Sequence, residues 1–188
     1  MSQAVRSPEP RRFTREEYDA LVEQGFFRDE QVELLDGAIV TMSPQNSRHA
    51  ATVHRLLKRL FAALGDALEI RIQSPIGLDG RSEPEPDVAL CARVPDSYEA
   101  AHPAAKDVLL AIEVAESSLA YDRGPKAAAY ARNGIPSCWI VNLLDRRIEV
   151  LTEPDTASAL YRKTEVRTGN DSLLLPGGAS IRVSDVLK

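Results

Sequence analysis

Val108-Leu109-Leu110-Ala111-Ile112-Glu113-Val114-Ala115 is the stretch that decides the fold. It has the length of a strand and is apolar at every position but one. A strand apolar on both faces is covered on both faces, so it belongs in the middle of a layered sheet. Glu113 is the exception. An ionised carboxylate buried without a partner costs several kcal/mol. The chain must therefore give Glu113 either a cation to bind or an arginine to pair with.

A second run, Pro86-Asp87-Val88-Ala89-Leu90, has the same character. Pro86 fixes the strand entry. By period two, Asp87 faces the side of Ala89 and Cys91. Two strands that each carry one carboxylate at an end can bring those carboxylates together. Two carboxylates with water make a site for a hard cation such as Mg²⁺. The plainer reading makes Asp87 a turn residue at a strand start.

Outward from these strands the chain alternates between helical and extended patterns. Thr14 and Glu17 form a capping box that opens a helix running to about Gln24, and Gly25 ends it. Asp36-Gly37 sits between two β-prone runs, 32–35 and 38–42, and predicts a hairpin. Over 46–64, Val53, Leu56, Leu57, Leu60, Phe61 and Leu64 follow helical spacing. Arg48, Arg55, Lys58 and Arg59 fall on the opposite face. That face is either simply solvated or a phosphate-contacting surface.

Further strands are expected at 69–78, 87–91 and 108–115. A helix is expected from Pro125 to about Arg132, closed by Gly134 and Pro136. A hairpin of 137–143 and 147–152 turns at Asp145, and strands are expected at 161–166 and 181–183. The sum is a mixed α/β domain over 13–188, a sheet with helices packed on it. Residues 1–12, polar and proline-bearing, read as a loose tail.

Composition sets the outer limits. The chain has 188 residues, with 44% hydrophobic and 27% charged. That is ordinary globular composition for one domain, able to form a core without disulfides. Cys91 and Cys138 both lie in apolar runs and read as buried, reduced thiols. No apolar run approaches the roughly 20 residues of a membrane helix, and the first residues carry no apolar stretch. A cytoplasmic protein with no membrane partner is expected. A net charge of −5 argues against a nucleic-acid coat protein, but not against an enzyme with a local basic face. There is no Walker loop, no dinucleotide fingerprint and no Gly-x-Ser-x-Gly elbow.

One lysine draws attention. Asp122 and Lys126, four apart, would share a helix face, where an ion pair is worth about 0.3–0.5 kcal/mol. Yet a lysine in a first helical turn faces the positive end of the dipole. The chain also uses 18 arginines and only 5 lysines, and the two differ in site chemistry.

Four blocks in order carry a resemblance. They are Glu33-Leu34-Leu35-Asp36-Gly37 with Met42-Ser43-Pro44 and His49; Pro84-Glu85-Pro86-Asp87-Val88; Ile112-Glu113-Val114 through Ser117-Ser118, Tyr121-Asp122-Arg123-Gly124, Lys126 and Tyr130; and Gly134-Ile135-Pro136 with Trp139-Ile140-Val141. Together they resemble the Uma-type restriction endonuclease family, a branch of the PD-(D/E)XK nucleases, over about 13–188.

The resemblance implies a restriction-endonuclease-like α/β fold, a mixed β-sheet flanked by α-helices. It implies Mg²⁺-dependent hydrolysis of phosphodiester bonds, with Mn²⁺ able to substitute, and DNA as the nucleic-acid partner. Asp87 and Glu113 would then be metal ligands, and Glu33 matches the upstream acidic position. Ala115 stands where the wider signature has its strand lysine, and Lys126 matches the helix lysine that replaces it. Arg123 is a further candidate for a DNA contact. His49 either lines the groove or packs at the helix edge. Two rival expectations stand beside this one. One is a catalytically inactive nucleic-acid- or protein-binding module on the same fold. The other is a homodimeric interaction protein whose apolar patch comes from Trp139 and the C-terminal strands, Trp139 otherwise being plain core.

Overall fold

A computed structural model of the chain describes residues 9–188. Residues 1–8 of the expected tail lie outside the described residues. Thr14 caps α1 (Arg15–Glu23) through the full reciprocal box with Glu17. The hairpin follows as β1 (Val32–Leu35) and β2 (Ala38–Thr41), paired antiparallel with Leu35 opposite Ala38. Asp36 and Gly37 both take positive φ, 51° and 73°, as a two-residue hairpin turn with matching twist requires.

Asn46 caps α2 (Ser47–Leu64), whose apolar stripe Val53, Leu56, Leu60 and Leu64 is buried. The main sheet has six strands in the order β3-β4-β5-β6-β7-β8. They are β3 (Glu69–Ile72), β4 (Val88–Cys91), β5 (Val108–Ala115), β6 (Ser137–Asn142), β7 (Arg147–Asp155) and β8 (Leu160–Arg167). Only β5 and β6 are parallel. A parallel neighbour needs a crossover, and the helical segment between these two strands provides it. It consists of α3 (Leu119–Tyr121), a π-helical turn (Asp122–Lys126) and α4 (Ala127–Arg132). A small hairpin, β9 (Ser172–Leu174) with β10 (Ser180–Arg182), and α5 (Val183–Val186) complete the chain.

Period two sorts the two faces of the sheet. Leu110, Ile112 and Val114 of β5 pack with Trp139 and Val141 under α2 and α5. Ala111 and Ala115 face the opposite way, with Ala89, Cys91, Cys138 and Ile140, against Tyr130 of α4. Small residues on this face let the crossover helix lie close. Burial pushes the Cys91 thiol up to about 12 and the Cys138 thiol well above its ordinary value, so both are inert. No helix among the described residues is long and apolar enough to cross a membrane.

Three expectations need correction. The strand expected over 69–78 stops at Ile72, because Gln73 adopts a positive φ of 44° and Pro75 has no N–H to pair. Helical structure does not begin at Pro125 but at Leu119. Pro125 lies inside the π turn, which has already left the ordinary i→i−4 pattern, so its missing donor costs little. Trp139 is 1% exposed, so it is core and offers no patch to a second copy. The end of the crossover is as expected. Gly134 takes φ 73°, Ile135 N–H bonds to Tyr130 O and Gly134 N–H to Ala131 O, the two bonds of a Schellman stop.

Gly37 is a joint of this framework that tolerates no side chain. Its carbonyl accepts Phe13 N–H at 2.9 Å and its N–H reaches Arg81 O at 2.7 Å. An added Cβ would lie 2.8 Å from Arg12 Cβ and 2.9 Å from Phe13 O. Gly37→Ala therefore meets both left-handed strain and a backbone contact. We expect a loss of about 1–2 kcal/mol in urea unfolding, with an unchanged dependence on denaturant.

Candidate active site

The two acids read from the sequence meet at one corner of the sheet. Val88 lies opposite Ile112 in the β4–β5 register, so Asp87, just before β4, is brought beside the end of β5. Asp87 Oδ2 accepts Val114 N–H at 2.8 Å and lies 3.0 Å from His49 Nε2. Its Oδ1 has one weak neighbour, Gln73 Nε2 at 3.4 Å. Glu113 points to the alanine face of β5. Its Oε1 accepts Tyr130 O–H at 2.5 Å and Lys126 Nζ at 3.1 Å. Among the described residues both of these contacts go to Oε1 and no hydrogen bond is formed to Oε2.

Lys126 comes from the π turn. Its ammonium has three acceptors: Glu113 Oε1 at 3.1 Å, Glu33 Oε2 at 3.3 Å and Glu85 O at 3.1 Å. Glu33, from β1, is fully engaged. Its Oε1 accepts Tyr121 O–H at 3.0 Å, and its Oε2 accepts Glu85 N–H at 2.9 Å as well as Lys126. The structure thus brings all four sequence-derived residues together. It also makes Glu33 the anchor of Lys126 rather than an open ligand. Lys126 and Asp122 do not form the simple helix pair considered from their spacing. Asp122 accepts Ser118 O–H at 2.6 Å instead.

These groups open onto a cavity of about 360 Å³ between the β1–β2 hairpin, the start of α2 and the π turn. Its wall includes the carboxylates of Glu33, Glu85, Asp87, Glu113 and Asp122 against the single ammonium of Lys126. Burial raises the Glu113 carboxyl well above its ordinary range; Lys126 pulls it back, while Asp122 and Asp87 add to the rise. Burial also raises Asp122 and Glu85. For Lys126 burial acts downward, but Glu113, Glu33 and Asp122 outweigh it and hold the amine protonated. For His49 burial likewise opposes the charge, and the bond to Asp87 overcomes it, so the imidazole is raised.

An excess of carboxylate oxygens around one ammonium is a donor set that suits a hard cation. Among the described residues no three His, Cys, Asp or Glu side chains form a complete metal cage. Mg²⁺ does not need one. It keeps several waters and is commonly held by one or two carboxylates. Asp87 and Glu113, two carboxylates lining one cavity, fit that mode.

Four contributors were not assigned from sequence: His49, Tyr121, Asp122 and Tyr130. All lie in the blocks quoted above, but only distance reveals that the tyrosines clamp the acids. The basic face of α2 stays at the surface, with Arg48, Lys58 and Arg59 exposed, and its arginines also bond to other parts of the chain. Arg48 reaches Glu116 at 3.1 Å and the Leu143 carbonyl, Arg55 donates to Val186 O at 2.7 Å, and Arg59 lies 3.2 Å from Asp185. Arg123 pairs with Glu149.

Residues 15–184 match a family model described as "Uma2: Putative restriction endonuclease". No curated protein matches the chain. Among solved structures, one similar chain is from Anabaena variabilis ATCC 29413 and is described as "a putative nuclease belonging to DUF820". It shares 14% identity with a TM-score of 0.70, over 93% of this chain and 97% of that one. At that identity the likeness is one of fold, and the mixed sheet with flanking helices is of the restriction-endonuclease-like type. The family match runs through the hairpin, both carboxylate-bearing strands and the lysine segment, so the chain belongs to the Uma2 family.

Proposed function

We propose that the protein is a metal-dependent endonuclease that hydrolyses phosphodiester bonds of DNA. The observation that carries this reading is the convergence of Asp87, Glu113 and Lys126 on one cavity in a chain of this family. Asp87 Oδ1 and Glu113 Oε2 would hold a Mg²⁺ or Mn²⁺ ion. When bound, such an ion acts as a Lewis acid toward a phosphoryl oxygen and the attacking water.

The chain's own residues set the rest. Lys126 is held protonated and so cannot accept a proton from water. Its role is electrostatic: one fixed positive charge where negative charge develops on the phosphoryl oxygens. Glu33 and the Glu85 carbonyl hold that charge in place. Tyr130 fixes the rotamer of Glu113 by donating to its Oε1.

A second reading is a binding module on the same fold without hydrolysis. It is favoured by the cavity wall, where Lys126 is the one lysine or arginine among the described residues, and by the pairing of Arg48, Arg59 and Arg123 with carboxylates of the chain itself.

Plasmid cleavage in Mg²⁺ or Mn²⁺ separates the two. Even outer-shell partners of a metal are worth 10–100-fold, so Asp87→Asn and Glu113→Gln should each cut the rate by more than about 100-fold. Wild-type protein that leaves every nucleic acid intact, or acid variants that cleave normally, rejects the endonuclease reading.

Lys126→Met tests the charge cluster independently of catalysis. Removing one partner of a buried pair costs about 3–5 kcal/mol. Glu113, whose carboxyl is raised by burial, supports the fold fully below the unfolded carboxyl value of about 4.3. That support fades as pH rises through its folded value, and further without the ammonium. The deficit of Lys126→Met in urea unfolding should therefore be small near pH 4 and grow toward pH 7.

A further inference from the structure

We propose that His49 is a positioning residue for Asp87, fixing which carboxylate oxygen faces the cation; this rests on the cation site proposed above. His49 is the third residue of α2. Its backbone N–H donates to the capping Asn46 at 2.9 Å, and Asn46 donates in turn to Glu116 at 2.5 Å, beyond the end of β5. The imidazole therefore projects from a helix start tied to the sheet.

Two donors from different elements meet on one oxygen of Asp87. Val114 N–H arrives from β5 at 2.8 Å and His49 Nε2 from α2 at 3.0 Å. Oδ2 is closed by these bonds, while Oδ1 has only the long contact of Gln73 Nε2 at 3.4 Å, on a residue that lines the cavity. A terminal carboxylate torsion is broad and roughly two-fold. Without the second donor, Asp87 would spread over orientations that direct no oxygen at a fixed point. A hard ion needs the fixed point, because it is bound by few protein oxygens.

The other ring nitrogen excludes a competing role. Nδ1 is buried and has no hydrogen-bond partner among the described residues, so in this arrangement it neither reaches solvent nor presents itself to a substrate. The ring acts through Asp87.

The test is calorimetric titration of Mn²⁺ into wild type, His49→Ala, His49→Gln and Asp87→Asn, with thermal unfolding recorded on each. The amide nitrogen of glutamine can stand in for Nε2. His49→Ala should weaken Mn²⁺ binding 10–100-fold, and His49→Gln should restore most of it. Wild-type affinity in His49→Ala, with binding lost in Asp87→Asn, overturns the role of His49 and leaves the cation site standing. So does a Gln variant as weak as the Ala variant while both remain folded. Wild-type protein that binds no Mn²⁺ overturns the cation site, and this role with it.

Discussion

A single ammonium ties together three parts of the chain that lie far apart in sequence. Lys126 is buried, and a buried charge is tolerable only with acceptors close around it. Its acceptors come from β1, from the strand-entry segment at Glu85, and from β5. None of these can shift without leaving a charge exposed to low dielectric. The hairpin, the sheet and the crossover helix are thereby held in one arrangement. Well-packed apolar side chains would stabilise such a core as well or better. On the function proposed above, a charged cluster at this place serves chemistry rather than folding.

The scaffold delivers these groups by simple geometry. Period two turns Glu113 to the alanine face of β5, where the crossover helix lies close enough for Tyr130 and Lys126 to reach it. The β4–β5 register brings Asp87 beside it. The π turn then sets the phase of the helix. Single π turns inside helices recur at functional sites, because they re-aim side chains without ending the helix. Here Asp122 and Lys126 both lie in that turn, and both are buried at the cavity.

Much of the fold was legible from local pattern. The capping box at Thr14, the Asp36-Gly37 turn, the helix beneath Asn46 and the strand Val108–Ala115 are decided by neighbours within a few residues. The misplaced boundaries have local physical causes too, at Gln73 and at Pro125, but each needs a backbone state that residue type alone does not announce. A proline usually marks a helix start, and here a π turn absorbs it.

By itself, the sequence determined that carboxylates would stand at the ends of two apolar strands, and that a lysine would follow on the connecting helix. Residue type and periodicity suffice for that. Tertiary structure alone decided which oxygen of each acid takes the strong hydrogen bonds, that Glu33 serves the lysine, and that Arg59 of α2 pairs with Asp185. It also decided that His49 reaches Asp87 across 38 residues of chain. These are matters of ångström-scale distance between distant segments, and hydrophobic periodicity carries no information about them.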